Sequence, residues 1–128
     1  MSRRQACPCN PLIDYRDCCA HLHLGEASAS SAEQLMRSRY SAFVLGLWDY
    51  VYATWHISTR PPRQSLVSDS KMKWLSLTVL AEQCVGEQAS VEFVARYKHN
   101  GRAMRLHERS RFVRESEHWF YLDGELFD

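Results

Sequence analysis

The sequence predicts an α+β fold, in which a small cysteine-rich segment is followed first by helices and then by an antiparallel sheet. Three observations carry this prediction. Four of the five cysteines lie within residues 7–19. Apolar residues recur at helical spacing over residues 35–55, and from Leu75 onward apolar and polar residues alternate as they do in half-buried strands. The chain of 128 residues, 45% of them hydrophobic and 24% charged, is long enough for one core and a small appendage.

The cysteine-rich segment has the composition of a metal-binding knuckle. Cys7 and Cys9 flank a single residue, and residues 10–17 lead to the adjacent pair Cys18 and Cys19. Four thiolates, or three thiolates with an imidazole, suit a closed structural zinc site. Because the side chains of adjacent residues tend to diverge, either both members of the pair bind the ion or a histidine replaces one of them. The candidate histidines are His21 and His23.

The expected compartment and the number of cysteines favour a metal over disulfide bonds. The residues after Met1 include Arg3 and Arg4 and no apolar stretch follows them, so we expect no secretory signal and a cytoplasmic protein. Cytosolic thiols are kept reduced, and five cysteines cannot all pair with one another. A redox pair typically has the C-x-x-C spacing, which this sequence lacks. The favoured interpretation is therefore a structural zinc site.

Two amphipathic helices are predicted after a short polar joint. Ser31 with Gln34, or Ser30 with Glu33, has the spacing of a capping box at the start of the first helix. Apolar residues then recur every three to five positions, which indicates one buried helical face. Asp49 is expected to cap a second helix with an aromatic face, which two consecutive prolines end because neither can donate a helical hydrogen bond.

The remainder of the chain predicts four strands that form an antiparallel meander. Asn100 and Gly101 make a strong hairpin signal, because both central positions of such a turn favour positive φ. A second polar turn is expected at residues 115–117. The predicted strands cover residues 75–80, 91–97, 102–114 and 118–122.

The cysteine-rich segment resembles a known motif. With its C-x-C pair, its aromatic Tyr15 and its adjacent cysteines, the segment is similar to SEC-C, the small zinc-binding module found at the C-terminus of the SecA translocation ATPase. Asn10 and Pro11 stand where that motif usually has glycine and serine. The resemblance implies zinc as the cofactor and places both histidines outside the ligand set. The four ligands that it implies are Cys7, Cys9, Cys18 and Cys19.

Five further motifs extend the resemblance along the chain. They are LMRSRYSAF at residues 35–43, TWH at 54–56, EFVARY at 92–97, ERSRF at 108–112 and WFYLDG at 119–124. Together they make nearly the whole chain similar to the YchJ family of bacterial proteins, whose biochemical role is not established. The resemblance implies a SEC-C segment over residues 1–26, here called the knuckle. A domain of the nuclear transport factor 2-like type, here called the cone, follows over residues 27–128, with helices against a curved antiparallel sheet.

Cones of this kind often enclose a pocket between helix and sheet, although fold alone does not decide function. Glu108 shares one face of a predicted strand with Leu106 and Phe112, and a carboxylate on an apolar face is costly unless it is paired. We therefore expect Glu108 to form a buried ion pair with Arg37 or Arg39. The alternative is a general base or ligand anchor with a raised pKa. The candidate pocket-binding residues are Arg37, Arg39, Tyr40, Trp55, Glu108 and Phe112.

The candidate catalytic residues are Glu108, His56 and Tyr40, but no established catalytic motif surrounds them. His56 closes the tryptophan-containing helix, where its favoured role is to interact with the helix dipole and its alternative role is acid–base chemistry. Cys84 is expected to be a small buried apolar residue rather than a nucleophile.

The leading functional hypothesis is a non-enzymatic adaptor, in which the knuckle presents a rigid surface to a protein or ribosomal partner. The alternative is a small-molecule-binding protein or a hydrolytic enzyme that uses the pocket of the cone. A formal net charge of +1 argues against a nucleic-acid partner, for which Arg3 and Arg4 beside the knuckle would be local support. No window approaches the roughly 20 apolar residues that a membrane span needs, so we expect no membrane partner.

Overall fold

The computed structural model describes residues 5–127. Arg3 and Arg4, the basic pair considered for nucleic-acid binding, lie outside the described residues. The elements follow the order that the sequence predicts: the cysteine-rich segment, then helices, then strands. None of the helices within residues 5–127 has the length and apolar character needed to cross a membrane.

The knuckle is built from two short strands and one helical turn. Strands β1 (Ala6–Cys7) and β2 (Asn10–Asp14) pair antiparallel, and α1 (Ala20–His23) follows after a 3₁₀ turn. The Oδ1 atom of Asn10 accepts a hydrogen bond from the N–H of Leu12 at 3.0 Å. Asparagine side chains mimic a backbone turn in this way. Asn10 therefore closes the turn in place of the glycine-serine pair that SEC-C usually has.

The first long helix, α2 (Ala32–Leu45), is capped at both ends by residues that favour helix termini. The hydroxyl of Ser31 accepts a hydrogen bond from the N–H of Gln34 at 3.1 Å. In return, the side-chain oxygen of Gln34 accepts one from the N–H of Ser30 at 2.6 Å. Of the two predicted capping pairs, Ser31 with Gln34 is the one that forms. Gly46 ends the helix with a φ of 74°, a left-handed conformation that glycine adopts without steric cost.

The second helix, α3 (Trp48–Ala53), ends well before the two prolines that were expected to stop it. Its N-cap is Leu47, whereas Asp49, the predicted cap, lies in the first turn. The chain leaves the helix early because it pairs with the sheet. The N–H of His56 donates to the carbonyl of Tyr121 at 2.7 Å, which replaces the hydrogen bond of a further helical turn.

A single sheet of four strands forms the rest of the cone. Neighbouring strands follow chain order and are all antiparallel, as the meander predicts. Asn100 and Gly101 have φ values of 53° and 79°, which confirms the predicted hairpin turn. The strands are β3 (Met72–Val85), β4 (Gln88–His99), β5 (Arg102–Glu115) and β6 (His118–Phe127).

Irregular pairing bends this sheet. The register of β3 against β4 shifts twice, and that of β5 against β6 shifts once, between Arg111 and Phe112. Such bulges bend the strand that carries them and increase its twist. They account for a concave face that can receive a helix.

The core lies between α2 and the inner face of the sheet. Val91, Phe93 and Ala95 alternate along β4 with less buried residues and are almost completely buried. Three of the knuckle cysteines belong to the same buried cluster as Leu35 of α2. The knuckle therefore packs directly on the cone, and the division of the chain after residue 26 stays a prediction.

Candidate metal centre and cone cavity

The four cysteines of the knuckle converge on one point. Their Sγ atoms all lie within 4.8 Å of one another. The Sγ atom of Cys9 lies 3.6 Å from each of the other three, Cys7, Cys18 and Cys19, and the adjacent pair is separated by 3.9 Å. Cys18 is half-buried and the other three are buried. This is the donor set and the spacing of a tetrahedral metal site.

Local backbone geometry brings the adjacent cysteines to the same centre. Cys18 ends the 3₁₀ turn Tyr15–Asp17 with a φ of −129° and a ψ of −113°, outside the regular conformations. Cys19 then adopts helical angles and starts α1. The change of backbone direction at Cys18 lets two neighbouring side chains point to one site. The other two sulfurs come from the β1–β2 hairpin.

The electrostatics of the cluster favour a cation. Hydrogen bonds with Cys19 and Cys9 hold the pKa of the Cys7 thiol far below its usual value. The hydrogen bond with Cys19 lowers the pKa of Cys9, but its hydrogen bond to Cys7 and its burial outweigh that effect and raise it to about 12. Hydrogen bonds to Cys7 and Cys9 likewise raise the pKa of Cys19. Buried sulfurs this close cannot all ionise alone, and a divalent ion would take the place of the shared protons.

Neither histidine of the knuckle belongs to this centre. The exposed His21 pairs through Nδ1 with Glu26 at 3.0 Å. Both ring nitrogens of His23 are occupied: Nε2–H donates to the carbonyl of Ser38 at 2.8 Å, and Nδ1 accepts from the hydroxyl of Tyr15 at 2.6 Å. Burial lowers the pKa of His23, so the neutral ring is favoured.

Side chains of α2 connect the metal centre to the cone. The hydroxyl of Ser41 donates to Sγ of Cys19 at 3.3 Å and lies 3.5 Å from Sγ of Cys7. Arg37 donates to the carbonyl of Cys9 at 3.1 Å and pairs with Glu33 at 2.9 Å. Arg37 was expected in the pocket of the cone. It lies instead on the knuckle side of the helix, because its position in the helical turn faces the cysteines.

A cavity of about 240 Å³ lies between α2 and the concave face of the sheet. Aromatic rings make up most of its wall. The polar groups of its lining are few and include Arg39, Tyr40 and Glu108. Burial raises the pKa of Tyr40 to about 12, so its hydroxyl stays neutral. Of the six residues expected at a pocket, the lining contains Arg39, Tyr40, Trp55, Glu108 and Phe112.

Arg39 is buried and forms no salt bridge among the described residues, although the charge of Glu108 acts on it across a longer distance. It is 5% exposed, and its NH1 group donates to the carbonyl of Val51 at 2.8 Å and to the hydroxyl of Thr54 at 2.7 Å. Its Cζ atom lies over the rings of Tyr121 and Trp55, at 4.6 and 5.1 Å from their centroids. Within residues 5–127 no carboxylate forms an ion pair with it. Burial lowers the pKa of Arg39 to about 10, which keeps it charged at neutral pH.

Glu108 also lacks the expected ion pair. Among the described residues neither Arg37 nor Arg39 lies within salt-bridge distance of its carboxylate, so that prediction is wrong. Instead, the hydroxyl of Ser110 donates to Oε2. The carboxylate lies against Gly124 on the next strand, where a Cβ atom would collide with it. The absence of a side chain at position 124 makes room for Glu108.

Trp55 carries a polar atom with nothing to bind. Its Nε1 atom is buried and has no hydrogen-bond partner within the part of the chain that the structure describes. The ring packs edge-on against Tyr121, with centroids 5.1 Å apart. Helical spacing indicated a packing residue at this position. Whether the indole N–H finds an acceptor depends on the groups that pack around the ring in the folded protein, and the spacing of residues in the sequence does not indicate them.

The three candidate catalytic residues do not assemble. Glu108 and Tyr40 share the cavity, but His56 lies outside it, with Nε2–H donating to Glu115 at 2.7 Å. His56 also lies beyond the end of α3, so the expected dipole interaction is replaced by this contact. Its Nδ1 accepts from the hydroxyl of Ser58 at 2.6 Å. Ser58 is exposed and lines none of the described cavities, and spacing alone gave no sign of this contact.

The fifth cysteine is placed differently from its prediction. Cys84 lies near the end of β3 and is exposed, whereas a buried position was expected. The last six residues of β3, positions 80–85, are all exposed, so neither face of this end of the strand is covered.

Comparisons with known proteins agree with this architecture. A family model described as YchJ, middle NTF2-like domain, matches residues 31–124. A UPF0225 protein of Bordetella parapertussis is 49% identical over 124 residues, which cover 94% of this chain and 92% of that protein. A UPF0225 protein of Cupriavidus metallidurans is 52% identical over 127 residues, covering 94% and 88%.

Two solved structures are similar over 97% of the chain. One is the solution structure of a SEC-C motif containing protein from Rhodopseudomonas palustris, 34% identical, matched over its full length with a TM-score of 0.83. The other is the crystal structure of a SEC-C motif containing protein from Psychrobacter arcticus, 30% identical, matched over 84% of its length with a TM-score of 0.80. These similarities confirm the predicted fold class.

Proposed function

The chain belongs to the YchJ family, which joins a SEC-C segment to an NTF2-like domain, and from that premise we propose that it is a zinc-stabilised protein that binds a small molecule in its cone. The knuckle supplies a structural metal site and the cone supplies the binding cavity. The binding step requires no chemistry on the ligand.

The sulfur geometry supports zinc as the ion. A zinc–thiolate bond of about 2.3 Å in a tetrahedron separates the sulfurs by about 3.8 Å. The hydrogen-bonded sulfur pairs of this cluster are separated by 3.6 to 3.9 Å. Cys7, Cys9, Cys18 and Cys19 would fill all four positions, so no position would be left for a water or a substrate. That closure is typical of structural zinc rather than of catalytic zinc.

The ion would act on the cavity through α2. Ser41 contacts the sulfurs of Cys7 and Cys19, and Arg37 holds the carbonyl of Cys9. The same helix carries Arg39 and Tyr40 on the cavity wall. Because one rigid helix joins both sites, fixing the knuckle also fixes the position of these two polar groups. Zinc would then hold the binding site in shape without touching the ligand.

The single observation that carries the proposal is Arg39 in its cavity. A buried charge is costly unless it is paired. The partners of this guanidinium are two neutral oxygens and two aromatic faces, and it lines a cavity large enough for a ligand. A group placed at that cost beside empty space is typical of a binding site, where the ligand supplies the missing interactions.

A cavity-filling substitution tests this function. We would screen aromatic compounds of about ten to fifteen non-hydrogen atoms, both uncharged and anionic, by thermal shift against the zinc-loaded protein, because about that many atoms fill 240 Å³ at the density of a protein interior. Ala95 lines the cavity, so Ala95→Leu should abolish the shifts seen with the wild type. Val94→Leu adds a methylene group on the opposite face of the same strand and should preserve them. Binding by neither the wild type nor Val94→Leu, or equal binding by Ala95→Leu, would contradict the proposal.

The adaptor hypothesis remains as a second candidate, supported by the surface of the knuckle. Ile13 and Leu24 are 38% and 72% exposed, and apolar side chains on a rigid metal-bound element suit a protein or ribosomal partner. Co-sedimentation with purified ribosomes tests one such partner. The zinc-loaded wild type should sediment with them, and a variant with Ile13→Ser and Leu24→Ser should stay in the supernatant. Equal sedimentation of both proteins, or of neither, would count against a ribosomal partner.

A further inference from the structure

The four sulfurs of the metal centre are not equally protected from solvent. Cys7 is 2% exposed, and Cys9 and Cys19 are each 3% exposed, whereas Cys18 is half-buried. Zinc binding would make all four sulfurs thiolates, so their formal charge does not distinguish them. The reactivity of a thiolate also depends on its exposure. A small reagent dissolved in water therefore reaches Cys18 before the other three.

A hydrogen-bond donor protects two of the buried sulfurs further. The hydroxyl of Ser41 donates to Sγ of Cys19 at 3.3 Å and lies 3.5 Å from Sγ of Cys7. Ser41 is completely buried, and these two sulfurs are the hydrogen-bond partners of its hydroxyl among residues 5–127. A hydrogen bond to a thiolate takes up part of the negative charge on the sulfur. Cys7 and Cys19, which share this donor, are therefore weaker nucleophiles as well as less exposed ones.

Cys18 has no such donor. The neighbours of its sulfur are the sulfurs of Cys9 at 3.6 Å and Cys19 at 3.9 Å. As thiolates these two sulfurs would have no proton to donate. Within the described part of the chain, no hydroxyl or N–H group is hydrogen-bonded to Sγ of Cys18. Of the four ligands, Cys18 is the one that combines exposure with a charge that no hydrogen bond reduces.

Cys9 is placed to form a disulfide bond with Cys18, because their Sγ atoms are 3.6 Å apart. Cys19 is the other near neighbour, at 3.9 Å, but it is adjacent to Cys18 in sequence. A disulfide between adjacent residues closes a small ring that strains the peptide bond between them. Cys19 also accepts the hydrogen bond of Ser41, which leaves it the weaker nucleophile. Cys9 is therefore the favoured partner of Cys18.

We propose that Cys18 is a modification site at which a small peroxide oxidises the knuckle, and that Cys9 converts the product to a disulfide. In the first step the sulfur of Cys18 attacks one oxygen of hydrogen peroxide, the O–O bond breaks, and hydroxide leaves with the electron pair of that bond. The product is a sulfenic acid at Cys18. The thiolate of Cys9 then attacks the Cys18 sulfur, the S–S bond forms and a second hydroxide leaves. Two thiolates are oxidised to a disulfide, and one peroxide is reduced to two hydroxide ions.

This disulfide would remove two of the four ligands of the zinc site. Zinc would then be lost, because the two remaining thiolates bind it far more weakly than four. Arg37 contacts the carbonyl of Cys9 and Ser41 contacts Cys19, so this centre is joined to α2. Oxidation at Cys18 should therefore loosen the knuckle from the cone. The inference rests on the zinc site of the proposed function and is independent of what the cavity binds.

Trapping of the sulfenic acid tests this order of events. The parent protein is the full-length, zinc-loaded chain with Cys84→Ser, because the exposed Cys84 would otherwise consume peroxide. Hydrogen peroxide is added with dimedone, which reacts with sulfenic acids, and fragmentation of the peptides by mass spectrometry separates Cys18 from Cys19. Cys18 should carry at least about tenfold more adduct than any other cysteine. Without dimedone, a disulfide between Cys9 and Cys18 should form at the rate at which a chromophoric chelator detects released zinc.

Two matched variants of the parent connect zinc release to the exposed sulfur. Cys18→His keeps a fourth ligand, since three thiolates and an imidazole suit zinc, but it removes the exposed thiolate. Peroxide should release zinc from it about tenfold more slowly than from the parent. Cys19→His makes the same exchange at the buried neighbour and should release zinc at about the rate of the parent. Zinc content is measured before each assay, and if a variant does not bind the ion, the trapping in the parent decides.

The outcomes distinguish this inference from the zinc site on which it rests. Adduct first at Cys7, Cys9 or Cys19, or equal adduct at all four ligands, overturns the assignment of Cys18. A disulfide between Cys18 and Cys19 overturns the role given to Cys9. If the zinc-loaded parent keeps its thiolates unchanged in excess peroxide, the inference fails while the zinc site stands. If the purified protein binds no zinc, the zinc site of the proposed function fails, and the inference fails with it.

Discussion

The hydroxyl of Tyr15 donates a hydrogen bond of 2.6 Å to Nδ1 of His23. Because the carbonyl of Ser38 can only accept, Nε2 of the same ring must carry the proton that it shares at 2.8 Å. Tyr15 therefore fixes the tautomer of His23, and His23 joins the knuckle to the middle of α2. The ring also packs edge-on against Tyr50, with centroids 4.7 Å apart.

This relationship predicts that His23 stabilises the folded protein although it binds no metal. His23→Ala removes both hydrogen bonds and leaves a small cavity, so it should lower the free energy of unfolding by about 2–3 kcal/mol. Tyr15→Phe removes one hydrogen bond and should cost about 1 kcal/mol. Urea unfolding of the zinc-loaded protein measures both changes. His21→Ala, at an exposed position, is the control and should stay within about 0.5 kcal/mol of the wild type. Similar losses for the two alanine variants would remove the role given to His23.

The metal centre predicts a specific pattern of zinc content and thiol reactivity. The purified protein should contain about one zinc per chain, and Cys18→Ser should lose it because three thiolates bind the ion much more weakly than four. Cys84→Ser should retain the zinc, since Cys84 is exposed and lies outside the cluster. A thiol reagent should label only Cys84 quickly until a chelator is added, after which all five cysteines should react. Fast labelling of all five without a chelator would contradict the site.

Arg39 should matter more for binding than for stability. Its two hydrogen-bond partners also contact each other, because the hydroxyl of Thr54 donates to the carbonyls of Tyr50 and Val51. Arg39→Met removes a buried unpaired charge and keeps much of the volume, so the free energy of unfolding should change by no more than about 1 kcal/mol. The affinity for the aromatic compounds that bind the wild type should fall at least tenfold. A loss above about 3 kcal/mol together with unchanged affinity would make Arg39 a structural residue.

Position 124 should need a glycine because the side chain of Glu108 lies against it, and not because of the backbone conformation at that position. A Cβ atom at position 124 would collide with the Glu108 carboxylate. The φ of Gly124 is not in the left-handed region, so the backbone alone does not require glycine there. Gly124→Ala should therefore lower the free energy of unfolding by about 1 kcal/mol, the low end of overpacking, because the colliding atoms are the end of a flexible side chain that can move.

The matched control for this collision is the double variant. In a background that carries Glu108→Ala, the same Gly124→Ala change should cost less than about 0.5 kcal/mol, because the colliding atoms are gone. Urea unfolding of the four proteins gives the coupling free energy. An equal cost of Gly124→Ala in both backgrounds would show that Glu108 is not the cause.

Local signals predicted much of the fold. Helix caps and tight turns act through hydrogen bonds and φ values that involve only a few neighbouring residues. The sequence therefore located the turn at Asn100 and Gly101 and limited the cap to two pairs, of which Ser31 with Gln34 forms. The end of α3 was predicted too late because a contact with Tyr121, distant in sequence, draws His56 into the sheet.

The sequence by itself predicted the order of elements, because periodicity is a property of short segments. Its cysteine spacing indicated a metal site, and the resemblance to SEC-C selected the four sulfurs over a histidine. Only the tertiary structure decided the chemistry of the cavity. Arg39 lies on α2, Glu108 on β5 and Trp55 in the segment after α3, and whether they pair depends on distances that their spacing does not encode. The guanidinium of Arg39 contacts neutral oxygens and aromatic faces, and the carboxylate of Glu108 accepts a hydrogen bond from Ser110. The two charges were therefore left apart on the wall of a cavity, which is the physical basis for expecting a ligand there.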